Sequence, residues 1–193
     1  LATGSHKGQK IGVPGEEAKC VADCVTFLRS LNLGETVAAR GKVVVIGGGN
    51  VAIDAARSAL RLGADEVTIL YRREKGDMPA YMEEIEEAER EGVKIHTLVA
   101  PKRILTEGGK AYAVECVRMA LGVFDKSGRR SPQPMVGSDF TVAADMVIAA
   151  VGQIPGLDYI NGDGIAVTRS TTIEVNKRTL ATTREGIFAA GDT

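Results

Sequence analysis

The chain has 193 residues, 44% of them hydrophobic, enough for one full core with a small appendage. Its formal net charge is −1, with 24 Lys and Arg against 25 Asp and Glu, so no global field favours nucleic acid or an anionic membrane. No apolar run reaches the length of a membrane span, and the first residues lack the charged-then-apolar layout of a signal peptide, so a cytoplasmic protein is expected.

The first dozen residues are extended and punctuated by glycine, and Pro14-Gly15 ahead of Glu16-Glu17 predicts the start of a first helix. Val21, Cys24, Val25, Leu28 and Leu31 recur at helical intervals and Gly34 ends the run, which puts Cys24 on an apolar helix face. Cys20 and Cys24 are spaced C-x-x-x-C, and with Cys116 they supply neither a disulfide framework nor a four-ligand metal set. His6 and His96 stand apart from each other and from any carboxylate cluster, so no metal site is expected.

Lys42 to Arg73 then reads as one mononucleotide-binding unit. An apolar strand, Lys42-Val43-Val44-Val45-Ile46, runs into the turn Gly47-Gly48-Gly49-Asn50-Val51-Ala52, and Ala52, Ala55, Ala56 and Ala59 mark a helix stopped by Gly63. Each turn residue has a separate task. Gly47 permits the tight exit from the strand, Gly49 leaves the pyrophosphate unobstructed, and Ala52 lets the helix pack closely on the sheet. Phosphate would sit on the unpaired amides at the positive end of that helix. The second strand, Val67 to Tyr71, delivers Arg72 and Arg73 where an NAD-binding unit usually places Asp or Glu. Guanidinium forks match phosphate oxygens, so the two arginines read as a clamp for the 2′-phosphate and the cofactor as NADP(H).

After a loop at Arg73 to Asp77, Met78-Pro79 leads into a helix through Glu91 with apolar Met82, Ile85 and Ala88, and Gly92 closes it. Val93 to Val99 is the expected third parallel strand. From about Lys102 the signals turn antiparallel, with a strand over Ala111 to Met119 and hairpin-turn residues from Phe124 to Arg129. Arg118, Arg129 and Arg130 read as surface charge around that hairpin. The chain returns to the sheet at Asp145 to Ala150 and leaves through Val151-Gly152-Gln153-Ile154-Pro155, where a glycine past a strand's carboxyl end lets backbone approach a cofactor.

The ends of the chain, Leu1-Ala2-Thr3-Gly4 and Gly186-Ile187-Phe188-Ala189-Ala190-Gly191-Asp192-Thr193, resemble the segments by which an NAD(P) domain is inserted into the FAD domain of two-dinucleotide-binding-domain flavoproteins. Within that group the glycine turn, Tyr71-Arg72-Arg73, Asp77-Met78-Pro79-Ala80 and the glutamate-rich helix resemble the glutamate synthase small-subunit branch of the pyridine nucleotide-disulfide oxidoreductase superfamily. The resemblance implies an α/β fold, a Rossmann-like parallel sheet in which an antiparallel β-meander replaces the second crossover helix. It implies division into a junction segment with linking helix (1–34), the NAD(P)-binding domain (35–155) and a segment returning to the FAD domain (156–193). Gly47, Gly48, Gly49, Asn50, Val51, Ala52, Arg72, Arg73, Ala150 and Gly152 would then hold NADPH, and Gly191 and Asp192 would contact FAD in the full-length parent. Hydride would pass from NADPH to FAD and on to iron–sulfur centres or a partner, a glutamate synthase large subunit or a ferredoxin-type protein.

No residue is assigned a catalytic role, since the flavin rather than a side chain accepts the hydride. The chain has no second G-x-G-x-x-G for an FAD adenosine, and on its own it is expected to be inactive. Two other readings stay open at this point. One is a thioredoxin-reductase-like disulfide reductase working through Cys20 and Cys24; the other is a module that senses NAD(P)H without turnover.

Overall fold

The computed structural model describes residues 1–125 and 128–193. Among these the chain runs β1 (Ser5–Gly8), β2 (Val21–Asp23), α1 (Cys24–Asn32), β3 (Lys42–Gly47), α2 (Asn50–Arg61), β4 (Glu66–Tyr71), α3 (Met82–Arg90), β5 (Lys94–Thr97), β6 (Val99–Glu107), β7 (Lys110–Phe124), β8 (Arg130–Ala143), β9 (Met146–Ala150) and β10 (Gln153–Pro155). It divides into two compact units, Lys10–Val151 and a smaller one formed by Leu1–Gln9 with Gly152–Thr193.

The larger unit is built on a five-stranded parallel sheet of order β2-β9-β3-β4-β5. Its central strand β3 is a β-branched run buried on both faces, and alternate residues point opposite ways. Val43 and Val45 enter a core shared with Cys24 and Phe27 of α1, Ala52, Ala55, Ala56 and Ala59 of α2, and Ile85 and Ala88 of α3. Val44 and Ile46 enter a second core with Val99, Ile104, Val114 and Cys116, which belong to the antiparallel sheet β6-β7-β8. The unit is thus three layers: helices, parallel sheet, antiparallel sheet. The β6–β8 meander carries the chain from β5 to β9, as the sequence predicts. Phe124 pairs with Arg130 across β7 and β8. Of the predicted hairpin turn, residues 126 and 127 lie outside the described residues.

Two local expectations are corrected. Residues 16–23 are not helical: Val21–Asp23 pair in parallel with Val147, Ile148 and Ala149, and α1 starts only after Asp23, whose carboxylate accepts from the N–H groups of Val25 and Thr26. The strand expected over Val93 to Val99 stops at Thr97, because Leu98 turns the chain with φ +55 and Val99 already belongs to the antiparallel sheet. Met78-Pro79 leads into a helix as the sequence predicts, with Met78 extended and α3 beginning at Met82. The compact units also divide differently from the boundaries predicted at 34 and 155. Helix α1 buries Cys24 and Phe27 in the larger unit's core, and β10 pairs with β1 in the smaller unit.

In the smaller unit Ile160, Ile173 and Ala189 form a minor core. A shallow pocket of roughly 300 Å³ opens there, lined by Ile173, Val175, Leu180, Ala189 and their neighbours. No helix among the described residues is long and apolar enough to cross a membrane.

Candidate dinucleotide site

The turn Gly47-Gly48-Gly49 leaves β3 and enters α2 at the point where the strand order reverses, with β9 on one side of β3 and β4 on the other. Ligands of open parallel sheets lie beyond the carboxyl ends of strands at such a switch. The three glycines are there for different reasons. Gly47 has φ +152, and a Cβ on it would lie 2.2 Å from the carbonyl oxygen of Ala150, its β9 partner. A Cβ on Gly48 would lie 2.4 Å from the Tyr71 ring. Both are explained by the fold itself.

Gly49 is not. It caps α2 in an extended conformation, φ −88 and ψ 174, which any residue adopts, and a Cβ there would meet nothing nearer than Pro79 Cγ at 4.0 Å. The space in front of it is open. The Ala52 and Ile53 N–H groups donate to the Gly49 carbonyl, which leaves the Asn50 and Val51 amides without an acceptor among the described residues; no side chain caps them, and the first turn holds no acidic residue. A dinucleotide pyrophosphate fits this cradle: a side chain at Gly49 would fill the approach, and the helix dipole and amides favour the anion. Ala52 is fully buried, so α2 packs tightly on the sheet below the turn.

The loop after β4 is tied to the same turn. The Ala80 N–H donates to the Gly48 carbonyl over 3.2 Å, the Tyr81 N–H donates to Asn50 Oδ1 over 2.9 Å, and the Tyr71 hydroxyl donates to the Asp77 carbonyl over 2.7 Å. Asn50 therefore spends its side-chain oxygen on the loop. Sequence reading missed this anchoring; its only trace was the Asp77-Met78-Pro79-Ala80 motif, whose mechanical role cannot be read from residue types alone.

The two arginines after β4, predicted to act together, are separated. Arg72 is exposed and has no hydrogen-bond or ion-pair partner among the described residues. Arg73 is 4% exposed; its Nη2 donates to Asp125 Oδ2 over 2.6 Å and its Nε to the Arg130 carbonyl over 2.9 Å. Successive residues leaving a strand point to opposite faces, so one arginine faces solvent and the next is consumed internally. Of the two arginines expected to clamp the phosphate, Arg72 alone is left without a partner among the described residues.

Gly152, Gly191 and Asp192 belong to the smaller unit. Gly152 has φ +139, its carbonyl accepts from the Gln9 N–H over 2.9 Å, and a Cβ on it would lie 2.9 Å from Gln9 Oε1. Its lack of a side chain is thus accounted for by its own backbone conformation, which side-chain-bearing residues rarely adopt. Gly191 has φ +81, and the exposed Asp192 accepts from Ser5 Oγ through its backbone carbonyl over 2.8 Å.

The cysteines do not form a dithiol. Cys24 packs in the helix-side core and its Sγ donates to the Val51 carbonyl over 3.3 Å, whereas Cys20 packs against the core on the opposite face of the sheet. All three cysteines are free. Burial, with Asp23 and Asp54 adding to it, pushes the Cys24 thiol up to about 12; burial does the same to Cys116. Such thiols are poor nucleophiles.

A parallel sheet with a glycine turn at its switch point, helices on one face and a β-meander on the other, defines the FAD/NAD(P)-binding class of fold. The chain belongs to the pyridine nucleotide-disulphide oxidoreductase family, whose model matches residues 1–193. It is 47% identical over 195 residues to the NADP(+)-dependent formate dehydrogenase subunit beta of Moorella thermoacetica, covering 100% of this chain and 27% of that protein. It is 42% identical to the NADPH-Fe(3+) oxidoreductase subunit beta of Geobacter sulfurreducens, covering 100% and 32%. With the glutamate synthase [NADPH] small chain of Azospirillum brasilense the identity is 40%, covering 100% and 42%. The chain therefore spans less than half the length of these relatives. Among solved structures, T. acidophilum thioredoxin reductase superposes with a TM-score of 0.71 at 22% identity, covering 99% of this chain and 55% of that one. FprA of Mycobacterium tuberculosis in complex with NADPH gives 0.66 at 19%, covering 80% and 49%. These two likenesses concern the fold.

Proposed function

We propose that this chain is the NADP(H)-binding part of a longer FAD-dependent oxidoreductase. The observation that carries the reading is Gly49, a glycine that nothing within the protein requires, standing open over the uncapped start of α2. The amides there bind the pyrophosphate, and Arg72 takes the 2′-phosphate by a charge-assisted contact that an adenosine ribose hydroxyl does not offer. Ala150, paired with Gly47 at the end of β9, lies beside the turn. Bound there, NADPH supplies a hydride at its nicotinamide C4, for which the family's acceptor is a flavin.

The smaller unit is, in this reading, the part of the FAD domain that the chain carries, with Gly191 and Asp192 as its flavin contacts. The names of these relatives support both the cofactor and a partner: three carry NADP or NADPH, and two are called subunit beta. The electrons are proposed to leave through iron–sulfur centres or a partner subunit, as a glutamate synthase large subunit or a ferredoxin-type protein would provide. The free cysteines suit a reducing cytoplasm.

Titration with NADPH and NADH in parallel at low and high salt tests the reading. Tighter binding of NADPH, with a preference that shrinks as salt screens the phosphate contact, is expected. Equal affinities at every salt concentration would refute the assignment to NADP(H).

A further inference from the structure

Arg73 is a nearly buried cation whose compensating charge comes from far along the chain. Its side chain is 5% exposed, that of Asp125 31%, and the two are joined at 2.6 Å. The guanidinium Nε holds the Arg130 carbonyl on the other side of the same hairpin. The Arg73 carbonyl accepts from the Leu98 N–H over 3.0 Å, and the Leu98 carbonyl accepts from the Met119 N–H over 2.8 Å. The end of β4 is thereby fastened to the meander at two places, by its backbone through Leu98 to β7 and by the Arg73 side chain at the hairpin's end. Arg72 is the residue between Tyr71, whose ring backs Gly48, and this anchor.

We infer that Asp125 is a positioning residue for NADPH selectivity: by pairing with Arg73 it fixes the end of β4, and so holds Arg72 where the 2′-phosphate arrives. The inference rests on the proposed contact between Arg72 and that phosphate. Removing the carboxylate leaves a buried charge uncompensated, which is strongly destabilising; with Asp125 gone Arg73 relieves that cost by turning toward solvent, and the backbone that carries Arg72 moves with it. Small misplacements of a binding group are enough to lose its interaction. NADH makes no use of Arg72, and its binding to the glycine turn is unaffected.

The test is made on the full-length protein, with dissociation constants for NADPH and NADH measured for Asp125→Ala, Asp125→Glu and Arg72→Ala, and melting temperatures recorded alongside. Asp125→Ala is expected to weaken NADPH on the order of tenfold and NADH less than about twofold, and Asp125→Glu to keep most of the preference. Equal weakening of both cofactors, no change in either, or tighter NADPH binding by a freed Arg73 would each overturn the inference. If Asp125→Ala does not fold, Arg73→Lys replaces it; an ammonium cannot hold both Asp125 and the Arg130 carbonyl as the fork does, so the same selective loss is expected and an unchanged preference overturns. Arg72→Ala separates the two levels. If it abolishes the preference while Asp125→Ala spares it, the inference fails and the site stands; if Arg72→Ala itself leaves the preference intact, the site assignment fails.

Discussion

A Cβ placed on Gly49 would have only Pro79 within reach, at 4.0 Å, although one residue earlier a Cβ on Gly48 would lie 2.4 Å from the Tyr71 ring. Substitutions at these neighbours are therefore expected to fail in different ways. Gly49→Val should keep the fold, within about 1 kcal/mol because only a helix-cap position changes, and lose binding of NADPH and NADH alike. Gly48→Ala should lower stability by roughly 1–3 kcal/mol through overpacking against a buried ring. Urea unfolding and cofactor titration of the two variants check this. A Gly49→Val protein that binds normally would remove the turn from the site.

Arg72→Ala is expected to weaken NADPH by tenfold to a hundredfold at low salt, since a charge-assisted hydrogen bond is worth roughly 1.5–3 kcal/mol, and to leave NADH almost unchanged. Added salt should erode the wild-type preference and have little further effect on the variant. Calorimetry with both cofactors at two ionic strengths measures it. Parallel losses for NADPH and NADH would make Arg72 a structural residue.

The buried thiols predict a pattern of alkylation. With a pKa of about 12, Cys24 and Cys116 each hold about one thiolate in ten thousand at pH 8. Iodoacetamide followed by mass spectrometry should leave both unmodified in the folded protein and label all three cysteines in urea. Because the folded state favours the protonated thiols, their contribution to stability is fully present below the ordinary value of 9.0 and is lost as pH rises toward about 12. Recovery of a Cys20–Cys24 disulfide from the native protein under mild oxidation would reopen the disulfide-reductase reading.

What could be read from the sequence was what the local chain decides. The β-branched run of β3, the glycine turn and the small face of α2 at Ala52, Ala55, Ala56 and Ala59 are each imposed by neighbouring residues, and the structure has them where the pattern puts them. The fate of Arg73 was not legible. It is settled by Asp125, which arrives just past the end of β7, and without that carboxylate Arg72 and Arg73 are the same residue type at the same strand end. Strand β2 was hidden for a similar reason. Three residues paired only with β9 carry no period of their own, and Val21 and Cys24 mimic one helix face while packing on opposite sides of the sheet. Leu98 ends β5 by a backbone conformation that nothing in its side chain announces.

A crystal structure of the protein with NADP+ decides whether the cofactor's pyrophosphate rests on the start of α2 beside Gly49. The pyrophosphate oxygens are expected about 2.7–3.2 Å from amides of the first α2 turn, with the 2′-phosphate against the Arg72 guanidinium and Arg73 still paired with Asp125. A cofactor bound away from Gly49, or one with its 2′-phosphate in solvent and Arg72 turned from it, would contradict the account.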